Sequence, residues 1–175
     1  RFEKIDTLVV DKTGTLTEGR PTVIAAAPVA GFGETELLRL AASLERSSQH
    51  PLGEAVVRAA TQRGLRLSEA SDFDAPIGRG VTGTVEGKRL LLGAPRLMVE
   101  QGVDTRPLAA EAERLRGEGA TAIFVSIDGE LAGLIGIADP IKESTAEALR
   151  ALKAEGVRVV MMTGDNRTTA LAVAR

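Results

Sequence analysis

The sequence predicts an α/β chain in which a parallel sheet is interrupted by an inserted α+β unit built on an antiparallel sheet. Two apolar runs at opposite ends of the 175 residues, TLVV (7–10) and VRVVMM (157–162), each lead into a loop that carries an aspartate, Asp11 and Asp165. Between them, Glu86-Gly87 and Asp128-Gly129 each separate two apolar segments, which is the signature of tight hairpins. After Asp139-Pro140 a helical pattern followed by an apolar run returns, which is α/β style again.

Taken in order, TLVV is a short β-branched run of the kind buried on both faces of a parallel sheet, so Asp11 falls at a strand's carboxyl end. In GETELLRLAASLE, Leu37, Leu40, Ala41 and Leu44 recur at helical spacing, and Glu34 and Glu36 suit the positive start of that helix. A second helix opens on Pro51, keeps Leu52, Ala55, Val56 and Ala59 on one face and stops at Gly64. From Ser68 the pattern turns to β: VTGTV, then Glu86-Gly87, then KRLLL form one hairpin. Leu97 and Met98, then Leu108, Ala112 and Leu115, mark two further helical pieces, and TAIFVSI pairs with LAGLIGIA across Asp128-Gly129. TAEALRALKAEG is an amphipathic helix ended by Gly156, and VRVVMM is the last strand, running into Thr163-Gly164-Asp165-Asn166. The insertion is expected from about Pro21 to about Gly136, dividing the chain into 1–20, 21–136 and 137–175. The start at Arg1 and the stop at Arg175 inside a helical pattern lead us to expect a piece of something longer.

Composition narrows the chemistry. Lysine plus arginine (22) nearly balances aspartate plus glutamate (24), and a net charge of −2 provides no basic footprint for nucleic acid. With no cysteine and one histidine, disulfides and thiolate or multi-histidine metal sites are excluded, so a bound metal is expected to be a hard cation on oxygen. The apolar runs fall short of the ~18 residues a membrane helix needs, and no signal peptide opens the chain.

Ligands in open α/β sheets bind beyond the carboxyl ends of the strands, where both Asp11 and Thr163-Gly164-Asp165 are expected. A carboxylate there can attack phosphorus and become an aspartyl phosphate if a divalent cation neutralises charge and donors hold the phosphoryl oxygens. Thr13, Gly14, Thr15, Thr163 and Gly164 supply hydroxyls and amides for that purpose. Taken singly, an aspartate after a strand is most often a turn or cap residue, and a histidine before a proline is most often a junction residue. The joint pattern is what raises them.

DKTGTLT (11–17) is the phosphorylation signature of the P-type ATPases. SLERSSQHPLGEA, PIGRGVTGTVEG, LLGAPRLM, DGELAGLIGIADPIKES and GVRVVMMTGDNRTTA resemble, in order, the cytoplasmic region of the heavy-metal-transporting members, with the copper(I) exporters nearest. The resemblance implies a haloacid-dehalogenase-like phosphorylation domain, truncated here, split by a nucleotide-binding insertion. It implies that Asp11 accepts the γ-phosphoryl of ATP. Thr13 then holds phosphate and helps bind Mg²⁺ beside Asp11, Lys12 adds positive charge, and Thr163 binds phosphate. Asp165 and Asp139 lie near nucleotide and phosphate, with Lys142 in support. Glu45, His50, Gly78, Gly80 and Gly93 are implied to line the ATP site. Where the family reads Gly-Asn this chain has Gly93-Ala94, so weaker nucleotide binding is expected. Without Trp or Tyr, the adenine is expected to be held by shape, backbone and His50 rather than by stacking.

Soluble phosphatases of the superfamily place a second aspartate, the general acid and base, two positions after the nucleophile. Thr13 stands there instead, which favours a transducer with a persistent aspartyl phosphate over a phosphatase. A zinc- or cadmium-transporting ATPase is the other alternative. Membrane and actuator domains of the same protein are the implied partners, with the transported metal bound in the membrane. The expected location is the cytoplasmic side of an integral membrane protein. Met161-Met162 is read as packing, since neighbours on a strand face opposite ways. The family's later lysine and GDGxND motif do not occur, so this stretch alone is expected to bind ATP but form little phosphoenzyme.

Overall fold

A computed structural model describes residues 5–76 and 78–174. Arg1 and Arg175, on which the reading of a longer chain rests, and Ile77 of PIGRGVTG lie outside them.

Two strands at the chain's ends form a parallel pair. β1 (Thr7–Asp11) lies beside β8 (Arg158–Met162), with Asp11 opposite Met162. The remaining strands form one antiparallel sheet: β2 (Thr22–Pro28), β3 (Ala70–Asp74), β4 (Gly80–Val85), β5 (Lys88–Gly93), β6 (Thr121–Ile127) and β7 (Glu130–Ala138), in the order β2-β7-β6-β5-β4-β3. The two hairpins close as the sequence predicts. Glu86 and Gly87 have φ of 52° and 75°, and Asp128 and Gly129 have 52° and 84°, the left-handed pair of a type I′ turn, which glycine adopts without strain.

Helices cover both faces of this sheet. α1 (Glu34–Glu45) and α2 (Pro51–Gln62) pack on one face, burying Leu37, Leu40, Leu44 and Val56 against Val85, Leu90 and Ile135. α3 (Pro95–Glu100) and α4 (Ala109–Gly117) pack on the other, burying Met98, Ala112 and Leu115 around Phe124 and Leu134. Each face thus has its own apolar cluster, and the two clusters fill alternate positions of the central strands. The edge strands β2 and β3 were not legible: AAAP lacks alternation, and SDFD is mostly polar.

The parallel pair departs from expectation. α5 (Thr145–Ala154) packs on β8, and α6 (Arg167–Val173) follows it. Val9 (53%), Val160 (40%) and Met162 (61%) remain exposed, so these strands are half-buried rather than buried on both faces. The physical reason is that two strands with few neighbours leave one face open, although their composition suits a covered sheet.

Candidate functional site: a cleft between the two sheets

β1 delivers Asp11 to its carboxyl end, where the chain turns sharply through 12–16 and re-enters extended backbone at Thr17. Asp11 and Thr13 are exposed there, while Lys12 and Thr17 are buried at 8% and 0%. Thr17 is a keystone: its hydroxyl accepts the Gly14 N–H at 3.1 Å and donates to Asp139 Oδ2 at 2.6 Å. The other oxygen of Asp139 accepts the Arg20 N–H at 3.0 Å. From the point where the chain leaves β7, Asp139 therefore holds the segment after the turn at two places, Thr17 and Arg20.

More bonds lace the same junction. Glu18 N–H donates to Pro140 O at 2.8 Å and Lys142 N–H to Leu16 O at 3.0 Å, while Thr17 and Ile141 form an isolated antiparallel bridge. Lys142 Nζ reaches the Gly14 carbonyl at 2.7 Å, and the Thr145 hydroxyl reaches Leu16 O at 2.8 Å. The strand running toward the antiparallel sheet and the strand leaving it are thereby bound side by side.

Because β8 is in parallel register with β1, its following turn comes up beside Asp11. In that turn Thr163 Oγ1 accepts the Asp165 N–H at 3.1 Å, and Asn166 Oδ1 accepts the Thr169 N–H at 3.0 Å, capping α6. That cap spends one of the first-turn amides of α6 on the chain itself. Asp165 forms an ion pair with Lys12, 153 residues away in sequence. The two acid-bearing loops expected to meet do so, and their charges are partly neutralised against each other.

A cleft of about 710 Å³ opens here. Lys12, Thr13, Asp139, Thr163, Gly164 and Asp165 line one part of it; His50, Pro51, Leu52, Ala94 and Arg116 line the rest. His50 is the N-cap of α2: its Nδ1 accepts the Leu52 N–H at 3.2 Å. That bond assigns the ring proton to Nε2, leaving an N–H donor for a ligand.

The other sequence candidates, the exposed Asp11 among them, fall outside the residues that line this cleft. Glu45 is buried at 6% at the end of α1 and borders a shallower depression with Ser48, Glu54 and Arg58. Its Oε2 has no hydrogen-bond partner, and burial pushes its carboxyl above the ordinary range, partly offset by Ser48. Gly53 makes the room, because a Cβ there would collide with that oxygen. Gly80 and Gly93 face each other across the β4–β5 ladder, where a Cβ on either would strike the opposite backbone, so close strand approach is a sufficient reason for both. Gly78 is a turn residue with φ of 72° and open space around it.

Sequence reasoning assigns no role to Thr17, Arg116 or Asn166: periodicity gives no hint of the Thr17–Asp139 contact across 122 positions, whereas an asparagine directly before a helix carries the N-cap signal that could have found Asn166. For Mg²⁺, no group of three acidic, histidine or cysteine side chains converges among the described residues. The donors at hand, the Asp11 carboxylate and the backbone of the adjacent turn, fit an ion that keeps waters and takes its remaining oxygens from a phosphate.

The family model of the haloacid dehalogenase-like hydrolases matches residues 5–175, and the chain belongs to that family. Within it the similarity is to metal-exporting ATPases. The chain is 53% identical over its whole length to a silver exporting P-type ATPase of Salmonella typhimurium and 49% to a copper-transporting P-type ATPase of Rhizobium leguminosarum bv. viciae. It spans 21% of each of those curated relatives. Among solved structures, a zinc-transporting PIB-type ATPase in its E2.Pi state superposes with a TM-score of 0.74 at 35% identity, over 98% of this chain and 28% of that one. The catalytic CPx-ATPase domain CopB-B superposes with a TM-score of 0.68 at 29% identity, over 97% of this chain and 56% of that one.

Proposed function

We propose that this chain is the ATP-handling, cytoplasmic region of a membrane-bound, heavy-metal-exporting P-type ATPase, and that the transported ion is copper(I) or its chemical neighbour silver(I). The observation that carries the reading is the single cleft lined both by the Lys12–Thr13 and Thr163–Asp165 turns and by His50. In this reading residues 21–136 bind the nucleotide, and 1–20 with 137–175 receive the phosphoryl group. Identities of 53% and 49% to silver- and copper-transporting proteins support this choice of ions. For the CopB-B catalytic domain, conformational changes upon nucleotide binding are described, which is the behaviour proposed for this chain.

In the reaction, a carboxylate oxygen of Asp11 attacks the γ-phosphorus, the bond from phosphorus to the β–γ bridging oxygen breaks, and ADP leaves with that electron pair. Asp11 and the Thr13 carbonyl would hold Mg²⁺, which would supply charge neutralisation when bound. Thr13 and Thr163 donate hydroxyl hydrogen bonds to the transferring group, and Lys12 adds charge once Asp165 releases it. Asp139 keeps the turn in place without touching the reacting atoms. With Thr13 where a hydrolase keeps its acid–base group, the aspartyl phosphate persists long enough to be coupled to movement. His50 Nε2–H donates to the adenine.

Calorimetric titration of ATP with Mg²⁺ into the wild type and His50→Ala is the test. Binding weakened about tenfold in the variant, for the loss of one ligand-facing donor, is expected; equal affinities overturn the assignment of the nucleotide to this cleft.

A further inference from the structure

Arg114 and Arg116 occupy the last turn of α4, where cations favour the helix carboxyl end. Their environments differ. Arg114 is half exposed and spends Nε and Nη2 on Glu111 and Nη1 on Glu118. Arg116 is only 14% exposed, lines the large cleft, and spends Nη1 alone, on Glu113 at 2.5 Å. Its Nε is fully buried with no partner. An unpartnered guanidinium donor inside a protein is costly enough that an acceptor is expected in the working state. A helix-end or surface ion-pair role accounts for the Nε, Nη1 and Nη2 bonds of Arg114 and leaves the Nε of Arg116 without an acceptor.

The charges around the cleft indicate what the acceptor is. Among the described residues lining it, the cationic side chains are Lys12 and Arg116, facing Asp139 and Asp165. Asp165 already holds Lys12. Arg116 holds only Glu113, so it too has donors to spare for a polyanion entering the cleft. A guanidinium offers paired N–H groups suited to phosphate oxygens.

We infer that Arg116 binds the phosphate chain of a nucleoside di- or triphosphate held in this cleft, a contact with the ligand's charge and not with its base. The inference rests on the nucleotide reading given above. The test compares binding of adenosine, AMP, ADP and ATP to the wild type, Arg116→Gln and Arg116→Lys, with thermal melts of each. Arg116→Gln is expected to weaken ATP and ADP about tenfold, as for loss of a charge-assisted contact, while changing adenosine less than twofold; Arg116→Lys is expected to recover part of the loss. An equal effect on adenosine and ATP, or unchanged ATP affinity, overturns the inference while leaving the nucleotide reading intact. If the wild type binds none of the four, the nucleotide reading itself fails and the inference falls with it. His50→Ala is the contrasting variant, expected to weaken adenosine and ATP alike.

Discussion

The antiparallel sheet with its helices and the parallel pair with its turns are held together by different forces. Every fully buried apolar residue among those described lies between Leu37 and Ile137, in two clusters on the faces of one sheet. Outside that span, the buried residues are Lys12, Thr17, Pro21, Thr145 and Thr169, and the four polar ones are all in hydrogen bonds. The first region is a scaffold stabilised by burial. The second is a lattice of directed bonds, which fixes side-chain positions closely but contributes little net stability per bond. The residues proposed for phosphoryl transfer belong to the second kind.

The largest break in this contrast is expected from paired truncations. Phe124→Ala removes a ring that is 1% exposed and is expected to destabilise by about 3–5 kcal/mol, whereas Val160→Ala in half-covered β8 is expected to cost about 1 kcal/mol or less. Urea unfolding of both variants measures this, and comparable losses would refute the division. Asp139→Ala is expected to cost about 1 kcal/mol, because the buried Thr17 hydroxyl still has the Lys12 carbonyl at 3.1 Å and the exposed Arg20 amide can turn to water. The informative readout is amide hydrogen exchange: protection should fall at Gly14 and Arg20 while β5 and β6 keep theirs, and loss spread over the whole chain would mean that Asp139 supports the scaffold as well.

The smallest effect is a pH slope. Burial raises the Glu45 carboxyl above its ordinary 4.5, so the folded chain keeps that proton to higher pH than the unfolded one. The stability linked to it is fully present below the unfolded value and is lost as pH rises through the raised folded value. Glu45→Gln is expected to flatten stability against pH just above 4.5 and to stabilise at neutral pH, read from urea midpoints across that window. A slope identical to the wild type would show that this carboxylate is satisfied in solution.

What the sequence made legible follows from how local its signals are. Glu86-Gly87 and Asp128-Gly129 could be read because positive φ at two successive positions is a demand on those residues alone. Leu37, Leu40 and Leu44 could be read because one helix face repeats within a few positions. The strand TLVV was recognised, but its covering was overestimated, since composition reports what a strand tolerates and not how many neighbours it has. Asp11, Thr13, His50 and Thr163 came from motif and resemblance. The bond from Thr17 to Asp139 and the buried face of Arg116 came only from three-dimensional placement, the first linking positions 122 apart.

The lacing between 16–20 and 139–142 also has a mechanical side. A body hung from one strand can spin about it, while a body hung from two strands bonded edge to edge resists twisting and yields mainly by bending across the ribbon. The antiparallel sheet is suspended in the second way, through Glu18–Pro140, Lys142–Leu16 and the two oxygens of Asp139. Bending across that ribbon is the freedom these bonds leave between the antiparallel sheet and the turn after Asp11.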